Sequence, residues 1–135
     1  MNVQYLLDKS ALARWTEPSV AAVLDPALTA GLLWSCPPIE LEVLFSARSP
    51  SEYAAARHDR AVAYDHVPLS AEIGMTAVEL QASLASAGLV RAVGPVDLLI
   101  AATAISADLT VLHYDSDFEL LARTDRRLSH PIHQW

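Results

Sequence analysis

Short apolar runs alternate along the chain with longer segments of helical periodicity, and this alternation limits the possible folds more than any other feature. Strand-like runs cover residues 3–7, 32–36, 66–69, 109–114 and 131–135. Helical patterns occupy residues 10–14, 19–30, 40–47, 52–65, 71–87, 96–106 and 118–123. Because this alternation is typical of parallel sheets covered on both faces by helices, it predicts a three-layer α/β/α domain with four or five mainly parallel strands.

The length and composition predict one compact domain over residues 1–135. Hydrophobic residues make up 53% of the chain and charged residues 19%, which excludes a disordered protein. The longest clean apolar stretch, residues 98–105, is far shorter than the roughly 20 residues of a membrane-spanning helix. Asp8 interrupts the first apolar segment, so we expect no secretory leader. The single cysteine, Cys36, cannot form an internal disulfide, and we expect a cytoplasmic protein without membrane association.

Acidic residues recur where strand-like runs end and helices begin. They are Asp8 after the first run, Glu40 and Glu42 after the second, Asp97 behind Gly94 and Pro95, and Asp115 and Asp117 after the fourth. Since ligands of open parallel sheets bind beyond the carboxyl ends of the strands, these acids should converge on one edge. Carboxylates crowded together repel one another unless a cation joins them. The pattern therefore predicts a divalent metal site that supports hydrolysis of a phosphodiester.

A simpler explanation of these acids is helix capping. An acid in a first helical turn is stabilised by the helix dipole by about 0.3–1 kcal/mol, whatever its function. Asp97 favours a functional site more strongly, because it precedes the apolar run of residues 98–102 in a helix that should be buried. Glu40 and Glu42 cannot share a helix face, because two residues correspond to about 200°.

Four segments resemble, in order, the motifs of PIN-domain ribonucleases. The segments are residues 6–12 (LLDKSAL), 38–45 (PIELEVLF), 96–104 (VDLLIAATA) and 110–119 (TVLHYDSDFE). Together they extend over nearly the whole chain. The size and motifs are similar to those of the VapC toxins of bacterial toxin–antitoxin pairs, and the resemblance implies a PIN-like fold.

The resemblance also assigns roles to individual residues. Asp8, Glu42, Asp97 and Asp115 would be catalytic, and Asp8, Asp97, Asp115 and Asp117 would hold metal. Ser10 would support Asp8 or a water molecule. Glu42 corresponds to the family glutamate because an apolar pair follows it, which leaves Glu40 as a surface acid. RNA contacts are expected from Arg14, Arg126 and Arg127, with Lys9 and Arg91 as further basic residues close to the acids.

The function implied is that of a Mg²⁺-dependent endoribonuclease toxin, with Mn²⁺ as a possible substitute. Metal-activated water would hydrolyse RNA phosphodiester bonds, a cognate antitoxin would neutralise the toxin, and the toxin would form a homodimer. One alternative is a PIN-like binding module without activity. Another is an aspartyl-phosphate phosphatase or receiver-like domain, but Ser10 stands where such phosphatases have a second aspartate, and Lys9 is the only lysine.

The net charge at first argues against a nucleic acid substrate. With histidine neutral it is −7, whereas proteins that bind phosphates usually carry a basic surface. Five of these negative charges belong to the predicted site acids. The acidic balance is therefore consistent with a cation-binding crevice that acts on a polyanion.

Overall fold

Five parallel strands form the centre of the protein, described here from a computed structural model that covers residues 3–114, 116–128 and 132–134. The strands are β1 (Tyr5–Leu7), β2 (Leu33–Ser35), β3 (Asp65–His66), β4 (Thr110–His113) and β5 (Ile132–Gln134). Their order in the sheet is β3-β2-β1-β4-β5, and every neighbouring pair is parallel. The predicted parallel sheet is confirmed, with the larger of the two expected strand numbers.

Helices connect the strands. They are α1 (Lys9–Leu12), α2 (Pro18–Thr29), α3 (Pro37–Leu44), α4 (Pro50–Ala63), α5 (Ala71–Ser86), α6 (Pro95–Ala107) and α7 (Ser116–Thr124), followed by a short 3-10 helix, Arg126–Leu128. Helix α3 begins three residues before its predicted start, because Pro37 takes the first helical position, where a missing N–H costs nothing. Strand β3 ends before Pro68, so this proline is outside the ladder rather than in an edge strand.

The strands separate two hydrophobic cores, as three layers require. Leu6 and Val111 pack with side chains of α3, α5, α6 and α7. Their neighbours in the sequence, Leu7 and Leu112, pack on the other face with side chains of α1 and α2. Successive strand residues point to opposite faces of the sheet, so helices cover both faces. Within the described ranges, no helix combines the length and the apolar character that a membrane span requires.

The order of the strands creates a crevice beside β1. From β1 the chain proceeds outward through β2 to β3, and then returns to place β4 on the other side of β1. The connections after β1 and β4 therefore diverge at this point of the sheet. Ligands of open parallel sheets bind at such a switch point, beyond the carboxyl ends of the strands.

Candidate active site

Asp8 follows β1 directly and is 5% exposed. Its carboxylate caps α1, accepting a hydrogen bond from the Ser10 amide at 3.0 Å and another from the Ser10 hydroxyl. The same hydroxyl accepts a hydrogen bond from the Tyr114 amide at 2.9 Å. Ser10 thus fixes Asp8 and also ties the connection after β4 to the start of α1.

A cleft of about 420 Å³ contains three of the predicted acids. Its walls include Asp8, Glu42 on α3 and Asp97 on α6, together with Lys9 and Ser10. Asp97 reaches the cleft because Gly94 and Pro95 begin α6 there, which places the carboxylate in the first turn of a helix whose following turns are buried. Three carboxylates from separate parts of the sequence thus line one cleft beside β1, together with one lysine.

Glu40 differs from the sequence expectation, which left it at the surface. Its side chain is 17% exposed and is paired with Arg60 of α4, which is 9% exposed. Arg60 Nε lies 2.9 Å from Oε1 of Glu40, Nη2 lies 2.8 Å from Oε2, and the Ser35 hydroxyl donates to Oε2 as well. Burial by itself raises the pKa of Glu40, but the hydrogen bonds from Arg60 and Ser35 outweigh it and hold this pKa below its usual value. Glu40 is an ion-pair residue with only a small part of its side chain in solvent.

The remaining predicted acids belong to the segment after β4. Asp115 lies outside the described residues. Asp117 lies in the first turn of α7 and is half-buried. It is not among the residues that line the cleft.

None of the three arginines expected to contact RNA lines this cleft in the described part of the chain. Arg14 lies over the Tyr114 ring, 3.9 Å from its centroid, and pairs with Glu17 at 3.2 Å. Arg126 is exposed on the 3-10 helix. The basic residue that does line the cleft is Lys9, which follows Asp8 in the sequence.

Arg127 is held by two acidic side chains. It pairs with Asp125 at 2.8 Å and with Glu79 of α5 at 3.0 Å. Its guanidinium therefore attaches the 3-10 helix to α5, which leaves less of its charge for a phosphate group.

The thiol of Cys36, the residue just before α3, is buried. Burial raises the pKa of this thiol to about 11, which favours the protonated, less nucleophilic form at neutral pH. Sequence reasoning missed Arg60 and Ser35 as partners of Glu40. Arg60 lies in an alanine-rich helix that reads as exposed, and a pairing across 20 residues leaves no periodic signal.

The donor set of the cleft suits a hard cation. Across residues 3–114, 116–128 and 132–134, no three acidic, histidine or cysteine side chains come close enough to form a complete metal site by themselves. Mg²⁺ does not require that many, because it is usually held by one or two carboxylates and keeps several water ligands. Asp8 and Asp97, with Glu42 also lining the cleft, meet this requirement.

Together these features define an α/β/α protein with an acidic cleft at the sheet's switch point, and comparison with known proteins identifies the class. The family model described as PIN domain matches residues 5–124. Ribonuclease VapC21 of Mycobacterium tuberculosis is 38% identical over 94% of this chain and 92% of its own length. Ribonuclease VapC51 of the same organism is 35% identical over 90% of this chain and 88% of its own length.

Solved structures show the same fold. The VapBC2 structure from Rickettsia felis, bound to a promoter DNA fragment, contains a chain that matches with a TM-score of 0.75. The identity is 16%, and the match covers 98% of this chain and 99% of that one. A chain of VapBC-5 from Mycobacterium tuberculosis matches with a TM-score of 0.64 at 23% identity, over 98% of both chains. The protein belongs to the PIN-domain family, and within it to the VapC group.

Proposed function

We propose that the protein is a divalent-metal-dependent endoribonuclease that acts as the toxin of a toxin–antitoxin pair. The observation that carries this proposal is the convergence of Asp8, Glu42 and Asp97 on one cleft beside β1. The names of the relatives support it, because the VapC21 and VapC51 proteins are both called ribonucleases. The same side chains argue against a silent binding module, since a protein that only binds RNA gains nothing from clustered negative charge.

In this proposal, the residues of the cleft have different roles. Asp8 and Asp97 would hold Mg²⁺, or Mn²⁺ in its place, and Asp115 and Asp117 would complete the acidic set. The chemistry that a divalent cation would supply there is the activation of water and the compensation of the phosphodiester charge. Ser10 keeps the Asp8 carboxylate in one orientation through two hydrogen bonds. Glu42 adds a carboxylate that can orient water or accept its proton.

RNA cleavage by the purified protein tests this function directly. The protein should cut RNA in Mg²⁺ or Mn²⁺ and should stop doing so in EDTA, leaving 5′-phosphate and 3′-hydroxyl ends. Asp97→Asn should lose cleavage, and its expression should no longer arrest growth. A wild-type protein that cuts no RNA with either metal, and an Asp97→Asn variant that remains toxic, would refute the proposal.

Basic side chains around the cleft would bind the RNA backbone. Lys9 is suited to a phosphate next to the scissile bond, because it lines the cleft beside the carboxylates. Arg14, Arg126 and Arg127 lie outside the cleft walls and would contact phosphates further along the strand. Substitution of one phosphate-binding residue by glutamine should reduce the salt dependence of RNA binding by about one unit of slope. Arg127 should have the smallest effect, because Asp125 and Glu79 already bind it.

An antitoxin and a second copy of the chain are the proposed protein partners. The Rickettsia felis and Mycobacterium tuberculosis structures that share this fold are VapBC complexes. Leu41 of α3 is 73% exposed and Phe45, the residue after this helix, is 89% exposed, which offers apolar surface to a partner helix. Co-expression with the cognate antitoxin should restore growth and yield a stable complex, and sedimentation of the free protein should show a dimer.

A further inference from the structure

Helix α3 carries two glutamates two residues apart, and they point to different sides of the helix. Glu42 lines the acidic cleft together with Asp8 and Asp97. Glu40 is bound by Arg60 of α4 and by Ser35 at the end of β2. Two residues correspond to about 200° of helical rotation, so a helix that directs one of these side chains toward α4 directs the other toward the cleft.

The contact between Glu40 and Arg60 is strongly directional. Arg60 Nε lies 2.9 Å and 3.1 Å from the two carboxylate oxygens of Glu40, and Nη2 lies 2.8 Å from Oε2. Arg60 Nη2 is also 3.4 Å from the Ser35 hydroxyl. A two-pronged contact between a planar guanidinium and a carboxylate fixes orientation as well as distance. The pair therefore connects three elements, β2, α3 and α4, through one side chain of α3.

Apolar packing determines the rotation of α3 only weakly. The helix is eight residues long and buries Pro38, Ile39 and Leu44, but it exposes Leu41, and Phe45, which caps its end, is exposed on the same side. A helix with apolar side chains on its buried and its exposed sides gains little by choosing one rotation over another. A rotation by one residue, about 100°, would carry Glu42 away from the cleft.

We propose that Arg60 and Glu40 are positioning residues for the acidic cleft: their ion pair sets the rotation of α3 and thereby directs Glu42 toward the metal and RNA site. This inference rests on the proposed nuclease function. The competing explanation is that the pair only stabilises the fold. The two differ in one measurable respect, because a positioning role predicts weaker metal binding in a variant that remains as stable as wild type.

A double variant separates these explanations. Glu40→Leu/Arg60→Met replaces the ion pair with apolar side chains, a change that often preserves or raises stability. Mn²⁺ binding is measured by titration calorimetry in the absence of RNA, and stability by urea unfolding. Because Glu42 would orient a water ligand of the metal, its displacement should lower Mn²⁺ affinity about 10-fold or more, the size of effect typical of groups that support metal ligands, with an unfolding midpoint close to that of wild type. Arg60→Lys keeps the charge but loses the two-pronged contact. Its Mn²⁺ affinity should therefore lie between those of wild type and the double variant.

Glu79→Leu is the matched control. It removes another carboxylate that pairs with an arginine, on α5 rather than α3, and should leave Mn²⁺ affinity unchanged. Wild-type Mn²⁺ affinity in the folded double variant would overturn the positioning role, and so would wild-type affinity in Arg60→Lys if the double variant does not fold.

The outcome for wild type separates this inference from the proposed function. Wild-type protein that neither binds Mn²⁺ nor cleaves RNA would refute both. A second outcome would refute only the positioning role. In it, wild-type protein binds Mn²⁺ and cleaves RNA, Asp97→Asn loses both activities, and both Arg60 variants retain them.

Discussion

The two glutamates of α3 are separated by one residue, yet they occupy opposite electrostatic environments. Glu40 is enclosed by a guanidinium and a hydroxyl, and hydrogen bonds from them lower its pKa. Glu42 lines a cleft with two aspartates, one lysine and one serine. The same side chain on the same short helix thus serves either an internal ion pair or an acidic cleft, according to the side of the helix on which it lies.

Under the proposed function, the identity of the counter-charge would distinguish structural carboxylates from functional ones. A carboxylate that meets a guanidinium within the protein is already compensated and has little affinity for an added cation. Carboxylates gathered with one another repel, and a divalent ion relieves that repulsion while leaving water ligands available for chemistry. If this distinction is correct, a cleft-side substitution should abolish activity without a loss of stability, whereas removal of only one partner of the ion pair should lower stability.

The largest effect should come from the cleft. Asp97→Asn should reduce RNA cleavage at least about a thousandfold, because loss of a single hydrogen-bond donor from an active site already costs 10²–10³ and a metal ligand contributes more. Its unfolding free energy should stay close to that of wild type, because asparagine has nearly the same size and shape as aspartate. Cleavage rates in Mg²⁺ and urea unfolding measure both.

Asp25→Asn is the matched control for this change. It makes the same replacement on α2, at an exposed residue that bonds Trp15, and should leave cleavage unaffected. Retained activity in Asp97→Asn would remove the cleft from consideration as the metal site.

Substitution of only one partner of the Glu40–Arg60 ion pair should lower the free energy of unfolding. Arg60→Met leaves the Glu40 carboxylate largely buried without its guanidinium, and should lower the unfolding free energy by about 3 kcal/mol. The added Glu40→Leu change should recover most of that loss, since no uncompensated charge remains. Urea unfolding of the four proteins of this double-mutant cycle gives the coupling. Additive effects of the two substitutions would contradict the assignment of Glu40 and Arg60 as one unit.

Ser10→Ala should reduce Mn²⁺ affinity about 10–100-fold. The reason is that the Ser10 hydroxyl orients Asp8 and also accepts a hydrogen bond from the Tyr114 amide. Ser10→Thr retains the hydroxyl and should bind Mn²⁺ as wild type does. Titration calorimetry with Mn²⁺ measures the difference. Equal affinity in the alanine and threonine variants would show that Asp8 does not depend on this hydroxyl.

The smallest effect concerns Asp125 and Arg127, a more exposed counterpart of the Glu40–Arg60 pair. Hydrogen bonds from Arg127 lower the pKa of Asp125 in the folded protein. This carboxylate therefore contributes stability above its ordinary pKa of 3.8, and the contribution is lost as pH falls through the folded pKa. Arg127→Gln should cost about 1 kcal/mol near neutral pH and progressively less in acid. Urea unfolding at several pH values checks this, and a cost independent of pH would exclude the pair as its cause.

Much of the fold follows from local patterns. The alternation of apolar runs and helical periodicity predicted the parallel sheet and its covering helices, because side-chain period is a property of neighbouring residues. Gly31 follows α2 with the positive φ of 70° that favours glycine after a helix, a local signal that the sequence carries. The start of α3 and the short 3-10 helix were missed, because the ends of helices depend on caps and contacts that periodicity does not register.

The candidate site was predictable only in part. Motif order indicated Asp8, Glu42 and Asp97, and the structure places all three at one cleft. The prediction of Glu40 as a surface acid was wrong, because Arg60 reaches it from α4. The predicted roles of Asp115 and Asp117 in metal binding, and of Arg14, Arg126 and Arg127 in RNA binding, remain predictions.

By itself, the sequence determined the class of fold, the family and the acidic character of the site, because each of these depends on residue types and their spacing along the chain. Tertiary structure alone decided which charges are compensated. Arg60 meets Glu40 across 20 residues and Ser35 across 25, and the Tyr114 amide meets Ser10 across 104. Such contacts depend on how whole helices and strands pack, and packing joins residues that carry no mutual signal in the sequence. The sequence supplied both glutamates of α3, and the packing of α3 against α4 decided that Glu40 pairs with Arg60 while Glu42 lines the cleft.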